Sequence, residues 1–149
     1  MTKFSIITSV FNSIETIHYA LNSVATQNYD DYEHIIIDGG STDGSLRQIR
    51  NFQSSKLKII SESDDGIYDA LNKGIKLASG DIIGFVHSDD FYAHTEVLSR
   101  IARVFEDPSV EAVYADLEYV SKKDAARIIR KWCNGEYSKN KLRWFTLHN

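Results

Sequence analysis

Apolar residues along this chain follow two spacings in turn: short continuous runs of strand length, and recurrences every three or four residues of helical type. Positions 4–10 form a compact apolar run with Ser and Thr interspersed, which predicts a buried strand. Asn12 and Ser13 then offer a helix cap, and Ile14, Ile17, Leu21 and Val24 recur at helical spacing to about Thr26. A second strand is predicted over 32–38, where three consecutive Ile residues imply burial on both faces. The run 39–45 reads as a turn into a short helix ending near Phe52, and 57–60 as a third strand. A helix over 66–78 places Ile67, Leu71 and Ala78 on one face; Ser79-Gly80-Asp81 breaks it, and 82–86 is the fourth strand. Thr95 caps a further helix that carries Val97, Leu98, Ile101, Ala102 and Phe105 and closes at Asp107-Pro108. One more strand, bent, is expected within 110–120, after which the pattern weakens. Strand–helix alternation of this kind predicts an α/β fold with a mostly parallel sheet and helices on both faces.

Composition narrows the picture. The chain has 149 residues, 42% hydrophobic and 26% charged, as expected of one soluble domain with a proper core. The apolar runs are far shorter than the roughly 20 residues of a membrane span. Positions 1–4 lead straight into a strand with no signal-peptide pattern, and the single Cys133 excludes an internal disulfide and a Cys-based zinc cluster. A cytoplasmic location is therefore expected. Net charge is −4, but residues 1–121 carry 9 Lys and Arg against 19 Asp and Glu, whereas 122–149 carry 8 against 2. So acidic a body makes nucleic acid an unsuitable partner. The basic tail also holds Trp132, Tyr137, Trp144 and Phe145. It reads either as an amphipathic segment that packs on further protein or as a contact for an anionic membrane surface.

Ligands of open parallel sheets bind beyond the carboxyl ends of the strands, where this chain concentrates polar residues. Asn12, Asp38, Asp64 with Asp65, and Asp89 with Asp90 each fall at or just past a predicted strand end. Adjacent carboxylates repel each other unless a cation joins them, and hard oxygen donors favour Mg²⁺ or Mn²⁺, which would in turn hold a diphosphate. The alternative for Asp89 or Asp90 is a helix cap. Asp38 either meets a ligand or closes its turn, and the segment 41–44 has turn and cap chemistry. One of Asp64 and Asp65 suffices to cap the following helix, which leaves the other unexplained. Asn72, inside that helix, calls for a polar partner, ligand or backbone. The His residues show no metal-ligand spacing, and Gly39-Gly40 with Gly44 matches neither a phosphate-binding loop nor a dinucleotide fingerprint.

Four segments in order carry a resemblance. Ser5-Ile6-Ile7-Thr8-Ser9-Val10-Phe11-Asn12 resembles the opening strand of family 2 glycosyltransferases. The stretch from His34 to Ser45 is similar to their second strand and Asp-rich turn, and that from Glu62 to Ile75 to a variant found in bacterial polysaccharide enzymes. The stretch from Ala78 to Asp90 resembles their Asp-x-Asp region.

The resemblance implies a GT-A fold and transfer of a sugar, with inversion, from a UDP- or GDP-sugar to a saccharide or lipid-linked acceptor. It further implies that Thr8 and Asn12 border base and ribose, and that Asp38 accepts a hydrogen bond from the base. Asp65, with Asn72 and Ser88, would complete the nucleotide pocket, and Asp89 and Asp90 would hold ribose, divalent metal and diphosphate. His87 and Leu71 depart from the family's frequent Asp and Arg. The family's base lies further downstream, so the chain is expected to stop before it, and Asp116 is not assigned that role. Residues 1–121 are thus expected to be a nucleotide-sugar-binding domain and 122–149 the start of an acceptor-side segment. Peripheral contact with the inner membrane and self-association through an uncovered apolar patch are also expected. The rival readings are a non-catalytic nucleotide-binding or assembly module, and a response-regulator-like domain, which would need a Lys after a late strand.

Overall fold

A computed structural model describes residues 2–122 and 124–135. The chain divides into two compact units, 1–107 and 108–149. The boundary expected at 121/122 therefore falls within the second unit.

The first unit alternates strands and helices: β1 (Phe4–Val10), α1 (Ile17–Ala25), β2 (Tyr32–Asp38), α2 (Ser45–Asn51), β3 (Leu57–Ser61), α3 (Ile67–Leu77), β4 (Ile82–Phe85) and α4 (Val97–Val104). The sheet runs β3-β2-β1-β4 with every pairing parallel. β1 lies at its centre, Phe4 opposite both Tyr32 and Ile82. Side chains alternate across the pleat, and this sorts the core into two layers. Phe4, Ile6, Val10 and Ile36 pack with Ile17, Leu21 and Val24 of α1, Ile49 of α2 and Leu98 of α4. Ile7, Ile35 and Ile37 pack with Ala70 of α3 on the opposite face. α3 comes so close to β1 that a Cβ on Gly74 would stand 2.5 Å from Cγ2 of Ile7, so only glycine fits there.

The amino-terminal end of the sheet is tied by Glu33, a buried carboxylate. Its Oε1 accepts hydrogen bonds from Ser5 Oγ at 2.6 Å, Ser79 N–H at 2.7 Å and Ser79 Oγ at 2.8 Å. Its Oε2 pairs with Lys58 Nζ at 2.5 Å. Burial alone would raise this carboxyl, but Lys58 and the donated hydrogen bonds outweigh it and bring it down to about 2. One side chain thus joins β1, β2, β3 and the lead-in to β4.

The second unit contains the antiparallel pair β5 (Leu117–Ser121) and β6 (Asp124–Trp132), with register shifts between Tyr119 and Ser121. Residues 110–116 form no strand, so the element expected across 110–120 is confined to its last part. Arg130 lies 5.9 Å from the Tyr119 ring and 5.1 Å from the Trp132 ring. Tyr137, Trp144 and Phe145 of the basic tail lie outside the described residues. No helix among the described residues is long and apolar enough to cross a membrane.

Candidate functional site

The loops that leave the carboxyl ends of β1, β2, β3 and β4 meet around a cleft of about 530 Å³. Ser9 and Phe11 line it from the end of β1, Gly39 from β2, Asp64 and Ile67 from the approach to α3, and Ser88 from the loop after β4. That volume lies within the range of small-molecule pockets.

The loop after β1 is held in place by hydrogen bonds from three consecutive residues. Asn12 adopts φ +49°, a left-handed conformation that Asn tolerates better than most residues. Its N–H donates to Ser41 Oγ at 2.9 Å, and its Oδ1 accepts from Thr42 N–H at 2.9 Å. Ser13 N–H donates to Ser45 Oγ at 2.8 Å, and Ile14 N–H to Asp43 Oδ2 at 2.9 Å. Asp43 also accepts from the hydroxyl and N–H of Ser45, and these bonds, the hydroxyl's foremost, hold its carboxyl below the usual range. Ser13 Oγ in turn lies 2.8 Å from Ser88 Oγ. The first, second and fourth strand-end loops are therefore joined through hydroxyl groups.

Beneath this rim lie two of the expected residues. Thr8 is fully buried; its hydroxyl donates to the carbonyl of Val86 at 2.6 Å and lies 2.9 Å from Nε2 of His34. Because that proton goes to Val86, His34 contributes its Nε2–H, and burial holds the imidazole neutral with its pKa lowered to about 3. Asp38 is also fully buried: Oδ2 accepts from Ser61 Oγ at 2.7 Å, and both oxygens lie 3.3 Å from Ser41 N. Its carboxylate closes the turn and links β2 to β3.

The Asp64-Asp65 pair divides its roles. Asp64 faces the cleft, Oδ1 accepting from Gly66 N–H at 3.0 Å, and a Cβ on Gly39 would stand 2.6 Å from its Oδ2. A side chain at position 39 would therefore displace the Asp64 carboxylate from its present position. Asp65 is exposed and does not line the cleft; its N–H donates to Asp69 Oδ2 at 3.2 Å. Lys73 braces this loop through Glu62 at 2.9 Å, Asp69 at 3.0 Å and the carbonyl of Ser63 at 3.1 Å. Asn72 is exposed and lies about 200° around α3 from Ala70, a cleft residue.

Ser88 leads directly into Asp89 and Asp90, both exposed residues. The Asp90 carboxyl is raised, first by partial burial of the group and then by the charge of Asp89, with His87 opposing. Among the described residues no Lys or Arg forms an ion pair with either. Nor do any three described His, Cys, Asp or Glu side chains form a cluster able to hold a metal by themselves. His87 Nδ1 lies 3.3 Å from Ser9 Oγ at the cleft wall.

The cleft therefore offers an exposed aromatic face (Phe11, 64% accessible), an apolar side at Ile67, and acceptor oxygens at Asp64 and Ser88. It suits a planar ring with N–H groups and a hydroxylated sugar. Among the described residues its lining includes no Lys or Arg, so an anionic group there would need a cation from elsewhere. Phe11, Ser9 and Ile67 were not singled out from the sequence. The position of Phe11 one residue past a buried strand was their available signal, since an aromatic placed there cannot enter the core.

The model of glycosyl transferase family 2 matches residues 5–148. A PGL/p-HBAD biosynthesis glycosyltransferase of Mycobacterium bovis is 35% identical over 118 residues, covering 76% of this chain and 46% of that protein. A glycosyltransferase of Nostoc sp. is 33% identical over 125 residues, covering 82% of this chain and 38% of its own. The chain thus spans less than half the length of these relatives. Among solved structures, S. aureus TarS 1-349 in complex with UDP-GlcNAc superposes with a TM-score of 0.66 at 30% identity, covering 70% of this chain and 31% of that one. A mannosyltransferase from Pyrobaculum calidifontis, in complex with GDP-Man and Mn²⁺, gives a TM-score of 0.68 over 84% of this chain and 37% of its own; at 21% identity it speaks to the fold, which is that of GT-A enzymes.

Proposed function

The chain belongs to glycosyl transferase family 2, and on that footing we propose that residues 1–121 bind the nucleoside diphosphate of a UDP- or GDP-sugar and serve its transfer, with inversion, to a saccharide or lipid-linked acceptor. The observation that carries this reading is the cleft at the strand ends, with Phe11 and Asp64 at its walls and Ser88 leading into Asp89 and Asp90. The likeness to a protein that holds UDP-GlcNAc supports a uridine donor among the candidates.

In this reading the base lies against the ring of Phe11 and donates an N–H to Asp64, a role the pair's other member, Asp65, is too remote to fill. Asn12 shapes the pocket through Ser41 and Thr42, while Thr8 and Asp38, both fully buried, support the strand ends from which its loops leave. Ser88 meets the ribose. Asp89 and Asp90 fit a divalent cation: they are adjacent hard-oxygen donors without an ion-pair partner among the described residues, and Mg²⁺ or Mn²⁺ commonly binds through one or two carboxylates plus substrate phosphates. When bound, such a cation supplies positive charge to the departing diphosphate. The acceptor's proton needs a base, which this reading does not assign to Asp116, whose Oδ1 accepts from Asn134 N–H at 2.8 Å. Residues 122–149 begin the acceptor side, and a lipid-linked acceptor places the protein at the inner face of the cytoplasmic membrane.

Calorimetric titration with UDP and GDP, with and without Mn²⁺, tests the site. Nucleotide binding that Mn²⁺ strengthens is expected, with Asp89→Ala and Asp90→Ala each removing the metal's contribution, about tenfold or more in affinity. A folded protein that binds neither nucleotide at millimolar concentration overturns the assignment. A second reading is a module that binds nucleotide without turnover. Release of UDP from UDP-GlcNAc by this chain would exclude it.

A further inference from the structure

Ser13 occupies an unusual place in the candidate site. Among the described residues it is the one whose hydrogen bonds reach both the first residue of α2 and the loop after β4: its N–H donates to Ser45 Oγ at 2.8 Å, and its Oγ meets Ser88 Oγ at 2.8 Å. The same Oγ lies 3.2 Å from the carbonyl oxygen of Phe11. A hydroxyl has one proton and two lone pairs, and a carbonyl oxygen can only accept. Both contacts are satisfied together in one arrangement: Ser13 gives its proton to Phe11, and Ser88 gives its proton to Ser13. The Ser88 proton is then spent inside the protein, and the oxygen that lines the cleft presents lone pairs. A group that binds to it must bring a hydrogen. A phosphate oxygen ionised at neutral pH has none to bring; a ribose hydroxyl does. The carboxylates of Asp89 and Asp90, next along the loop, are acceptors as well, so a phosphate there relies on the cation they would hold and not on the Ser88 hydroxyl.

Building on the reading of the cleft as a nucleotide site, we propose that Ser13 is a positioning residue that sets the polarity of the Ser88 hydroxyl, and that through it the site selects nucleotides bearing a ribose hydroxyl at that point. Ser13 touches no ligand in this scheme. It acts by holding a neighbour's proton.

The test compares UDP with 2′-deoxy-2′-fluoro-UDP and 3′-deoxy-3′-fluoro-UDP, whose fluorine can accept a hydrogen but has none to donate, in the presence of Mn²⁺, on the wild-type chain and on Ser13→Ala, Ser13→Thr and Ser88→Ala. The wild type should bind one of the deoxy nucleotides about five- to tenfold more weakly than UDP, the usual value of one neutral hydrogen bond. Ser13→Ala frees the Ser88 rotor and should compress that ratio to about twofold or less, as should Ser88→Ala, whereas Ser13→Thr keeps the oxygen and should retain it. A merely structural role for Ser13 would weaken all three nucleotides alike and leave the ratio unchanged, and so would overturn the proposal. A wild type that binds UDP but discriminates against neither deoxy form also overturns it, and leaves the donor-site reading standing. Failure of wild-type protein to bind both UDP and GDP removes that reading and this inference with it.

Discussion

At the residue scale, the strand-end carboxylates differ in ways that their shared charge conceals. Asp38 is buried and spent on Ser61 and Ser41, Asp43 on Ser45 and Ile14, while Asp64 faces the cleft beside Gly39. Asp64→Ala should therefore weaken nucleotide binding about tenfold, and Asp65→Ala should leave it within about twofold, both read by the same titration. Equal effects would mean that the base does not reach Asp64. That contrast was out of reach from the sequence. Which of two neighbouring carboxylates enters a cleft depends on the backbone at Gly66, whose φ of +100° turns the chain into α3. The burial of Thr8 was legible in the strand itself: it shares the even parity of Ile6 and Val10, the side of β1 that packs on α1, α2 and α4.

At the element scale, strand and helix spacing sufficed for the first unit. The three Ile residues of β2 need cover on both faces, and only a central strand between helix layers provides it. The same reasoning overreached in 110–116, where four apolar residues run together but, among the described residues, no partner strand is paired with them. An isolated extended segment has no ladder to stabilise it, and pairing is a property of two segments that one segment's pattern does not contain. Glu33 was also missed as a structural link, because its partners lie on separate elements far apart in sequence. Its role predicts a pH dependence. The Glu33 carboxyl is lowered from an ordinary 4.5 to about 2, so its contribution is fully present above pH 4.5 and is lost as the pH falls towards 2. Glu33→Gln should destabilise the first unit by about 2–3 kcal/mol near neutrality, since it removes the charge that Lys58 and three donors require. Denaturant titrations across pH 2–5 should then show a shallower loss of stability in the variant than in the wild type. Parallel curves would assign the acid sensitivity to other carboxylates.

At the scale of the whole molecule, the two edges of the sheet are unlike each other. β3 carries Lys58 exposed on its edge, the kind of charge that discourages pairing with a second sheet. β4 reads Ile-Ile-Gly-Phe without a charge; Ile83 is 38% accessible and Phe85 48%, and among the described residues no strand pairs beyond it. A parallel sheet is ordinarily covered on both faces, and an apolar edge with open hydrogen-bonding groups is a template for another strand. Self-association of this chain through β4, edge to edge between two copies, is the expected consequence. Sedimentation should show a concentration-dependent shift towards dimer, and Ile83→Lys should abolish it while leaving thermal stability nearly unchanged, because that side chain is not part of the buried core. Nucleotide affinity should be unaffected, since β4 contributes to the cleft through the loop that follows it and not through its edge. A wild-type chain that stays monomeric at high concentration would show that the β4 edge is already protected, and a dimer that survives Ile83→Lys would move the contact to another surface.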